Sequence, residues 1–396
     1  MSFPAVLNRG DEFLSEYPRT APWWNLASHA TCLFMTLNTK VLLNILYKPQ
    51  VHGIEKLDLA FAKAREENRL IITVMNHMLV CDDPSYVAML PFRYINHIDN
   101  VRWGFAADNV CFGTKWQGWF FNLGKILGIA RFGVGPFQDS VDAAIRVVSP
   151  DDSLAPKHPL PTYKDAIEIQ QLNDAIIAPQ LKPNAELTQL LMPLLPFVRK
   201  ETSWFHVFPE GFVLQLQPPN NNSMRYFKWG VTRLILEATR APVVVPMFAH
   251  GFEKIAPEDI TGWKRWFPAN LGLEIHLYVG DAIPDDIIFE YRKKWRQLVL
   301  VFADPWSKLG DLSEELKTGK WAEELRSNLA AELRRHVASL RREAGFPPEY
   351  SSFKNPRWWH RFTQTEGASD PSVKFVGLNW AIKRLQPHLS EYSPDQ

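Results

Sequence analysis

The sequence has few cysteines and no long apolar run, and both shortages limit what the protein can be. Its 396 residues include only three cysteines, Cys32, Cys81 and Cys111, and no two of them form a C-x-x-C pair. A disulfide-stapled scaffold and a cysteine-based zinc site are therefore both disfavoured. No stretch of about 18 residues is free of polar interruptions, so a membrane-spanning helix is not expected.

Charge excess and a nucleophile motif are also missing. The chain has 44 Lys and Arg against 43 Asp and Glu, a formal net charge of +1, which gives no electrostatic reason to expect a nucleic-acid partner. No G-x-S-x-G sequence occurs, and no cysteine has an evident activating partner. A catalytic histidine in this chain would therefore deprotonate a substrate hydroxyl directly, because it has no evident protein nucleophile to activate.

Aromatic residues are abundant: the chain has 15 Trp and 25 Phe. Trp is typical of membrane–water interfaces as well as of protein cores. Residues 23–47, the most apolar long stretch, begin with two Trp and mix polar with apolar side chains, which predicts an amphipathic helix in the membrane interface. A helix that covers the core of the domain is the alternative. The Trp/basic cluster at 357–361 and the apolar stretch at 187–198 are further candidates for lipid contact.

Short β-rich runs alternate with helical patterns along most of the chain. This alternation predicts an α/β fold with a mostly parallel central sheet flanked by helices. The predicted strands are 71–75, 100–106, 129–132, 204–208, 242–249 and 271–279. The predicted helices include 84–90, 116–127, 140–148, 287–302 and 321–343.

Three regions follow from the same patterns. We expect an N-terminal amphipathic segment at 1–52, an α/β domain at 53–303 and a C-terminal helical region with a tail at 304–396. Residues 150–203 are rich in proline and break the alternation, so we interpret them as an insertion in the α/β domain.

The stretch 70–90 places a histidine and an acid at a strand-to-helix corner. His77 follows the predicted strand, Asp82 comes five residues later, and Asp83-Pro84 reads as a helix start. Asp82 can accept a hydrogen bond from one ring nitrogen of His77 and leave the other free to take a proton. A purely structural histidine is the alternative. Metal ligation by His77, Asp82 and Asp83 is a weaker one. Other histidines that could complete such a metal site are His97, His206, His250 and His276.

A second turn, F-P-E-G at 208–211, ends another predicted strand. Parallel sheets gather their sites at the carboxyl ends of the strands, so this turn and His77 should meet. Gly211 permits a close backbone approach, and Arg225, Lys228 and Arg131 are candidate anion binders. Together they suit a substrate that bears phosphate.

Four blocks carry a family resemblance: NHMLVCD (76–82), RFGVGPFQ (131–138), FPEG (208–211) and VVVPMF (243–248). In identity, order and spacing they resemble the glycerolipid acyltransferase superfamily. Within it the chain is most similar to the fungal form of the tafazzin family, through RWGFAADNVCF, FFNLGK, FPEGFVLQL and NSMRYFKWG. The similarity covers nearly the whole chain and is weakest in the insertion.

The resemblance implies a glycerol-phosphate acyltransferase-like fold and a CoA-independent phospholipid–lysophospholipid transacylase that remodels cardiolipin. Monolysocardiolipin would be the acceptor and a diacyl phospholipid such as phosphatidylcholine the donor. His77 would be the general base and Asp82 its partner, with Arg131, Glu210 and Gly211 binding the substrate. The family has no metal or other cofactor, and it sits on the inner and outer mitochondrial membranes facing the intermembrane space, without spanning them. Whether the chain forms a homo-oligomer is left open.

Three other functions remain compatible with the residues. The nearest is an acyl-CoA-dependent lysophospholipid acyltransferase, which would use the same base and turn. An esterase or phospholipase would use water in place of the acceptor hydroxyl. A catalytically idle lipid-binding protein would need only the amphipathic stretch.

Overall fold

A seven-stranded sheet forms the centre of the computed structural model, which describes residues 22–79, 81–130, 135–148, 203–257, 260, 267–302, 312–359 and 389. The strands in these ranges are β1 (Lys48–His52), β2 (Ile71–Val74), β3 (Trp103–Ala107), β4 (Ile126–Ile129), β5 (Trp204–Val207), β6 (Val243–His250) and β7 (Glu274–Val279). The α-helices are α1 (Pro22–Leu46), α2 (Ile54–Glu66), α3 (Asp82–Met89), α4 (Asp108–Cys111), α5 (Lys115–Leu123), α6 (Asp139–Val147), α7 (Gly230–Glu237), α8 (Asp285–Phe302), α9 (Glu314–Thr318), α10 (Lys320–Glu343) and α11 (Pro356–Trp359).

The strand order is β1-β7-β6-β2-β5-β3-β4, and every pair is parallel except β6–β7. The expected mixed α/β fold with a mostly parallel sheet is confirmed. β1 was not expected from the sequence. Its residues, KPQVH, alternate between exposed and half-buried, as suits an edge strand, where a proline is tolerated.

Helices cover both faces of the sheet, which explains why its central strands are buried along their whole length and mostly apolar. All four residues of β2 and all four of β5 are buried. Alternate residues point to opposite faces: Ile71 joins a cluster with α2 and α3, whereas Ile72 joins one with α6, α7, α8 and α10. This double burial packs the central strands, and the starts of the loops that leave them, tightly in place.

Two local predictions were wrong. The helix expected over 116–127 ends at Leu123, because Gly124 and Lys125 (φ 59°) turn the chain into β4, which begins at Ile126. The strand expected at 129–132 overlaps β4 at Ile129, and residues 131 and 132 lie outside the described residues. The helix expected to start at Asp83-Pro84 starts at Asp82, with Cys81 at its N-cap position. Asp83 does not cap because its carboxylate pairs with Arg102.

Helix α1 packs on the domain along one face only. Its buried residues recur mostly at intervals of four: Trp24, Ser28, Cys32, Thr36 and Leu43. Its other face exposes large apolar side chains: Trp23, Leu26, Phe34, Leu37, Val41, Leu42 and Ile45. Among the described helices, none combines the length and the apolarity needed to cross a bilayer.

Candidate active site

The loops that follow β2 and β5 meet at the centre of the sheet. The two strands pair in register, and Met75 N donates to Val207 O at 3.1 Å just beyond them. Leu214 N then donates to His77 O at 3.0 Å, which joins the loop around His77 to the loop after F-P-E-G. The expected meeting of the two motifs is thus observed, at the carboxyl ends of parallel strands.

His77 and Asp82 are hydrogen-bonded across the corner. His77 Nδ1 lies 2.9 Å from Asp82 Oδ2, and the same oxygen accepts from the backbone N–H groups of Met78 (2.5 Å) and Leu79 (2.9 Å). An ionised carboxylate only accepts hydrogen bonds, so the imidazole proton belongs on Nδ1 and the lone pair on Nε2. The loop therefore fixes both the orientation and the tautomer of the histidine.

The two side chains differ in exposure as a base and its orienting partner should. Asp82 is fully buried, whereas 19% of the His77 side chain remains exposed. Phe208 stacks on the imidazole with ring centroids 4.5 Å apart and an interplanar angle of 23°. One face of the ring is covered, and the exposed part can meet a substrate from the other side.

Glu210 is a connector between three segments. Its Oε1 accepts from His77 N at 2.9 Å and its Oε2 from Arg225 N at 3.0 Å, and the side chain is fully buried. Burial raises the pKa of Glu210 to about 8, against the opposing effect of the two backbone donors. In this arrangement the carboxyl group faces backbone amides, so any part it has in seating a substrate is indirect.

The groups expected to bind an anion differ in how accessible they are. Gly211 has φ +80°, and a Cβ placed there would lie 3.0 Å from Cδ and Cε of Lys228, so the lysine lies directly over the glycine. Arg225 is fully buried, with its guanidinium 4.1 Å from the ring centroid of Tyr226 and 4.6 Å from that of Phe212. Arg225 is thus not available at the surface, contrary to expectation. Arg131 lies outside the described residues.

Asn76, which sequence reasoning passed over, ties the corner to β6. Its Nδ2 donates to Ala249 O and its Oδ1 accepts from Ala249 N, both at 2.8 Å. The side chain thereby mimics one residue of a neighbouring strand, and it is fully buried. The Asn76-His77 pair is evident in the sequence. The residue that Asn76 binds, more than 170 positions away, is not.

Behind the corner, Asp83 forms a partly buried ion pair with Arg102. Arg102 Nε donates to Asp83 Oδ1 at 2.7 Å, Nη2 donates to Oδ2, and Nη1 donates to Gly124 O at 3.0 Å. Burial raises the pKa of Asp83, and the Arg102 guanidinium opposes that shift. Because Asp83 is engaged by an arginine, it does not converge with His77 and Asp82 on a metal position. Among the described residues, no group of three or more His, Cys, Asp or Glu is arranged to hold a metal ion.

His206 packs against Phe208, the residue whose ring stacks on His77. Trp204 Nε1 donates to Thr73 Oγ1 at 2.8 Å, and the Thr73 hydroxyl, 2.6 Å from His206 Nδ1, can then donate to that nitrogen. Burial lowers the pKa of His206 well below its ordinary value. The ring stacks on Tyr86 and meets Phe208 edge-on, so a neutral histidine supports the phenylalanine that covers His77.

Comparisons with known proteins place the chain in a family. The model of a protein family described as Acyltransferase matches residues 48–249, about half of the chain. The chain is 49% identical over 392 residues to the protein named Tafazzin of Saccharomyces cerevisiae, covering 98% of this chain and 97% of the relative. It is 25% identical to the Tafazzin of Drosophila melanogaster over 69% of this chain and 56% of the relative. It is 26% identical to an N-acylphosphatidylethanolamine synthase of Arabidopsis thaliana over 63% of this chain and 67% of the relative.

Proposed function

This chain belongs to the acyltransferases and, among them, to the tafazzin family, and on that basis we propose that it exchanges acyl chains between phospholipids and lysophospholipids without CoA. We propose cardiolipin as the phospholipid that it remodels, with monolysocardiolipin as acceptor and phosphatidylcholine as a donor. The observation that carries the proposal is the His77–Asp82 pair, in which a buried carboxylate holds Nδ1 of a partly exposed imidazole.

In the proposed first step, His77 acts as a general base. Its Nε2 removes the proton from the free hydroxyl of the lysophospholipid while Nδ1–H stays bonded to Asp82. The positive charge that develops on the imidazole is stabilised by the Asp82 carboxylate. The backbone donors of Met78 and Leu79 keep that carboxylate in place.

In the second step the acceptor oxygen attacks an ester carbonyl of the donor phospholipid. A tetrahedral oxyanion forms and then collapses, the donor's glycerol oxygen leaves, and the imidazolium returns the proton to it. One ester bond forms and one of similar energy breaks, so transfer runs in both directions and approaches equilibrium. The products are a new diacyl species and a new lysophospholipid.

We assign the phosphate of the lipid to the neighbourhood of Gly211 and Lys228. The absence of a side chain at Gly211 leaves the room that Lys228 occupies, and the lysine supplies a positive charge there. Arg131 is proposed as a second phosphate contact on the strength of the resemblance alone. Glu210 is proposed to act through the backbone, by holding His77 and the F-P-E-G loop in register.

We further propose that the exposed apolar face of α1 lies in one leaflet of a mitochondrial membrane, on the side of the intermembrane space. The support is the row of large apolar side chains on a helix whose opposite face is packed against the domain. Trp23 at its start suits the headgroup region. An acyltransferase placed this way meets both of its lipid substrates without extracting them far from the bilayer.

The experiment that tests the function is acyl transfer in liposomes that contain labelled phosphatidylcholine and monolysocardiolipin, with and without CoA. Wild-type protein is expected to transfer label in the absence of CoA, and His77→Ala is expected to lose about 10²–10⁴-fold of the rate, the usual contribution of a general base. His336→Ala, which replaces a similarly half-buried histidine that is bonded to Glu332 within α10, serves as the matched control and should keep full activity.

Each competing function has its own outcome in this assay. Transfer that appears only with acyl-CoA would indicate the CoA-dependent acyltransferase. Release of free fatty acid without transfer would indicate an esterase. Binding to liposomes with no turnover would indicate an idle lipid-binding protein, and full transfer by His77→Ala would remove His77 from the mechanism.

A further inference from the structure

A second apolar surface lies beside the C-terminal end of α1, in the loop formed by residues 267–273. Its sequence is F-P-A-N-L-G-L, and the exposed fractions are 60% for Phe267 and 61% for Leu271, with Leu273 also exposed. None of these three side chains belongs to the candidate active site. Large apolar groups clustered at one exposed turn call for a partner surface.

Backbone geometry makes Leu271 the tip of the loop. The residues on either side of it, Asn270 (φ 51°) and Gly272 (φ 82°), are both left-handed, which forms a tight turn. The turn is anchored at its base, because Asn270 Nδ2 donates to Lys254 O at 3.0 Å and Ala269 N donates to Ile255 O at 2.8 Å. A leucine held outward on an anchored turn loses little conformational freedom when it inserts into another phase.

The loop is hydrogen-bonded directly to the end of α1. Gly272 N donates to Leu46 O at 2.7 Å, and Tyr47 Oη donates to Ala269 O at 2.5 Å. Just before these contacts α1 exposes Leu42 and Ile45, which belong to its apolar outer face. The exposed apolar surface of the helix therefore continues onto a segment more than 200 residues later in the chain.

The charges around the loop fit an anionic lipid surface. Lys48 and Lys254 are both exposed, and each lies at the base of the loop, where Lys48 N donates to Leu273 O at 2.9 Å. The acidic residue that follows the loop, Glu274, is exposed as well, but the two lysines outnumber it. An apolar tip flanked by lysines is the composition of a segment that dips into the headgroup region of a bilayer.

We propose that the 267–273 loop is a second membrane-contact element, which inserts Phe267 and Leu271 into the leaflet that α1 lies on. The inference rests on the proposed membrane function of α1 and adds an anchor point at the far end of that helix. The C-terminal end of α1 and the 267–273 loop would together fix the rotation of the domain on the bilayer as well as its attachment. A partner bilayer, rather than a second copy of the chain, is favoured by the lysines.

The test places an environment-sensitive fluorophore on Leu271→Cys in a Cys81→Ser/Cys111→Ser background, in which the remaining Cys32 is buried. Vesicles of phosphatidylcholine with an anionic phospholipid should shift the emission to the blue, and a quencher attached to the lipid acyl chain should reduce it. Leu59→Cys on α2, whose leucine is 68% exposed, is the matched control and should show neither change. Ile45→Cys on α1 reports whether the helix itself inserts.

The outcomes separate this proposal from the one on which it rests. A signal at Ile45 with none at Leu271 would overturn the loop proposal and leave α1 as the sole anchor. A blue shift at Leu271 that depends on protein concentration and needs no vesicles would assign the loop to contact between copies, and would overturn it too. The acyl-transfer assay on unlabelled wild-type protein tests the enzymatic function independently. In vesicle binding, Leu271→Asp is expected to weaken affinity about tenfold, the value of one buried leucine.

Discussion

At the scale of single residues, the site depends on buried polar side chains that bind backbone groups. Asn76 pairs with both backbone groups of Ala249, and Glu210 accepts from the amides of His77 and Arg225. Neither side chain is exposed. Their contribution is to position the residues around the imidazole, since a base shifted by about 1 Å loses much of its efficiency.

Asn76→Asp should destabilise the corner although the side chain keeps its shape. The new carboxylate cannot donate to Ala249 O, and an oxygen would face that carbonyl in a buried setting. We expect the free energy of unfolding to fall by about 1–3 kcal/mol, measured by chemical denaturation, together with a loss of transfer rate. Asn68→Asp is the matched control, because Asn68 (φ 49°) occupies a left-handed position that both residue types tolerate. Equal stabilities of the two variants would contradict the pairing role.

Glu210 makes stability depend on pH in a defined direction. Its pKa is raised to about 8 in the folded protein from an ordinary value of 4.5, so between these values the folded state holds a proton that the unfolded state has released. The stability that this proton confers is complete below about pH 4.5 and is lost as the pH rises toward 8. The melting temperature of the wild type relative to Glu210→Gln should therefore decline across that window. A difference that stays constant, or grows with pH, would show that Glu210 is ionised in the folded protein.

At the scale of elements, the Asp83–Arg102 pair joins the first turn of α3 to the start of β3 and to the end of α5. Arg102 reaches Asp83 with two nitrogens and Gly124 O with a third. Asp82, the partner of His77, is the neighbour of Asp83 on the same turn. The ion pair thus helps to fix the helix turn that carries the carboxylate orienting the base.

Breaking this partly buried pair should cost more than breaking an exposed one. Arg102→Gln leaves a largely enclosed carboxylate, with 21% of its side chain exposed, without its charged partner, so we expect about 1–3 kcal/mol of lost stability. Arg93→Gln breaks the exposed Arg93–Asp58 pair and should cost at most about 1 kcal/mol. A double-mutant cycle with Asp83→Asn, followed by denaturation, measures the coupling. Coupling energies of the same size for both pairs would contradict the assignment.

Most of the strands and the central contact of the site could be predicted from the sequence, and the failed predictions have physical causes. The apolar runs of β2, β5 and β6 identified the buried strands, and the His77–Asp82 spacing anticipated their hydrogen bond. β1 escaped notice because an edge strand can be short and polar. The burial of Arg225 among aromatic rings, like the partner of Asn76, depends on contacts between distant parts of the chain.

At the scale of the whole molecule, one face of α1 packs on the domain and the opposite face is exposed. On its inner face, Trp24 Nε1 donates to Asn122 Oδ1 at 3.1 Å and Lys40 Nζ donates to Ala88 O at 2.8 Å. These two bonds tie α1 to α5 and α3. Its outer face carries the exposed apolar row. The helix that is proposed to touch lipid is therefore packed directly against the helix that carries Asp82.

Substitution on the outer face should separate attachment from folding. Phe34→Glu with Ile45→Glu removes two exposed apolar groups, so binding to anionic vesicles in a sedimentation assay should weaken at least about tenfold while the melting temperature in solution stays the same. Leu59→Glu on α2 is the control and should bind as the wild type does. Unchanged binding by the double variant would contradict the orientation proposed for α1.

The arginines of α10 have a consequence for how the protein is made. Arg334 donates to the carbonyls of Met224 and Arg225, and Arg341 donates to that of Asn222, so the segment after F-P-E-G is held by a helix more than 100 residues later. During synthesis His77 and F-P-E-G leave the ribosome long before these arginines do. The catalytic corner can reach its final form only after α10 has been synthesised, so a chain that stops before α10 should be inactive even though it contains every residue of the proposed chemistry.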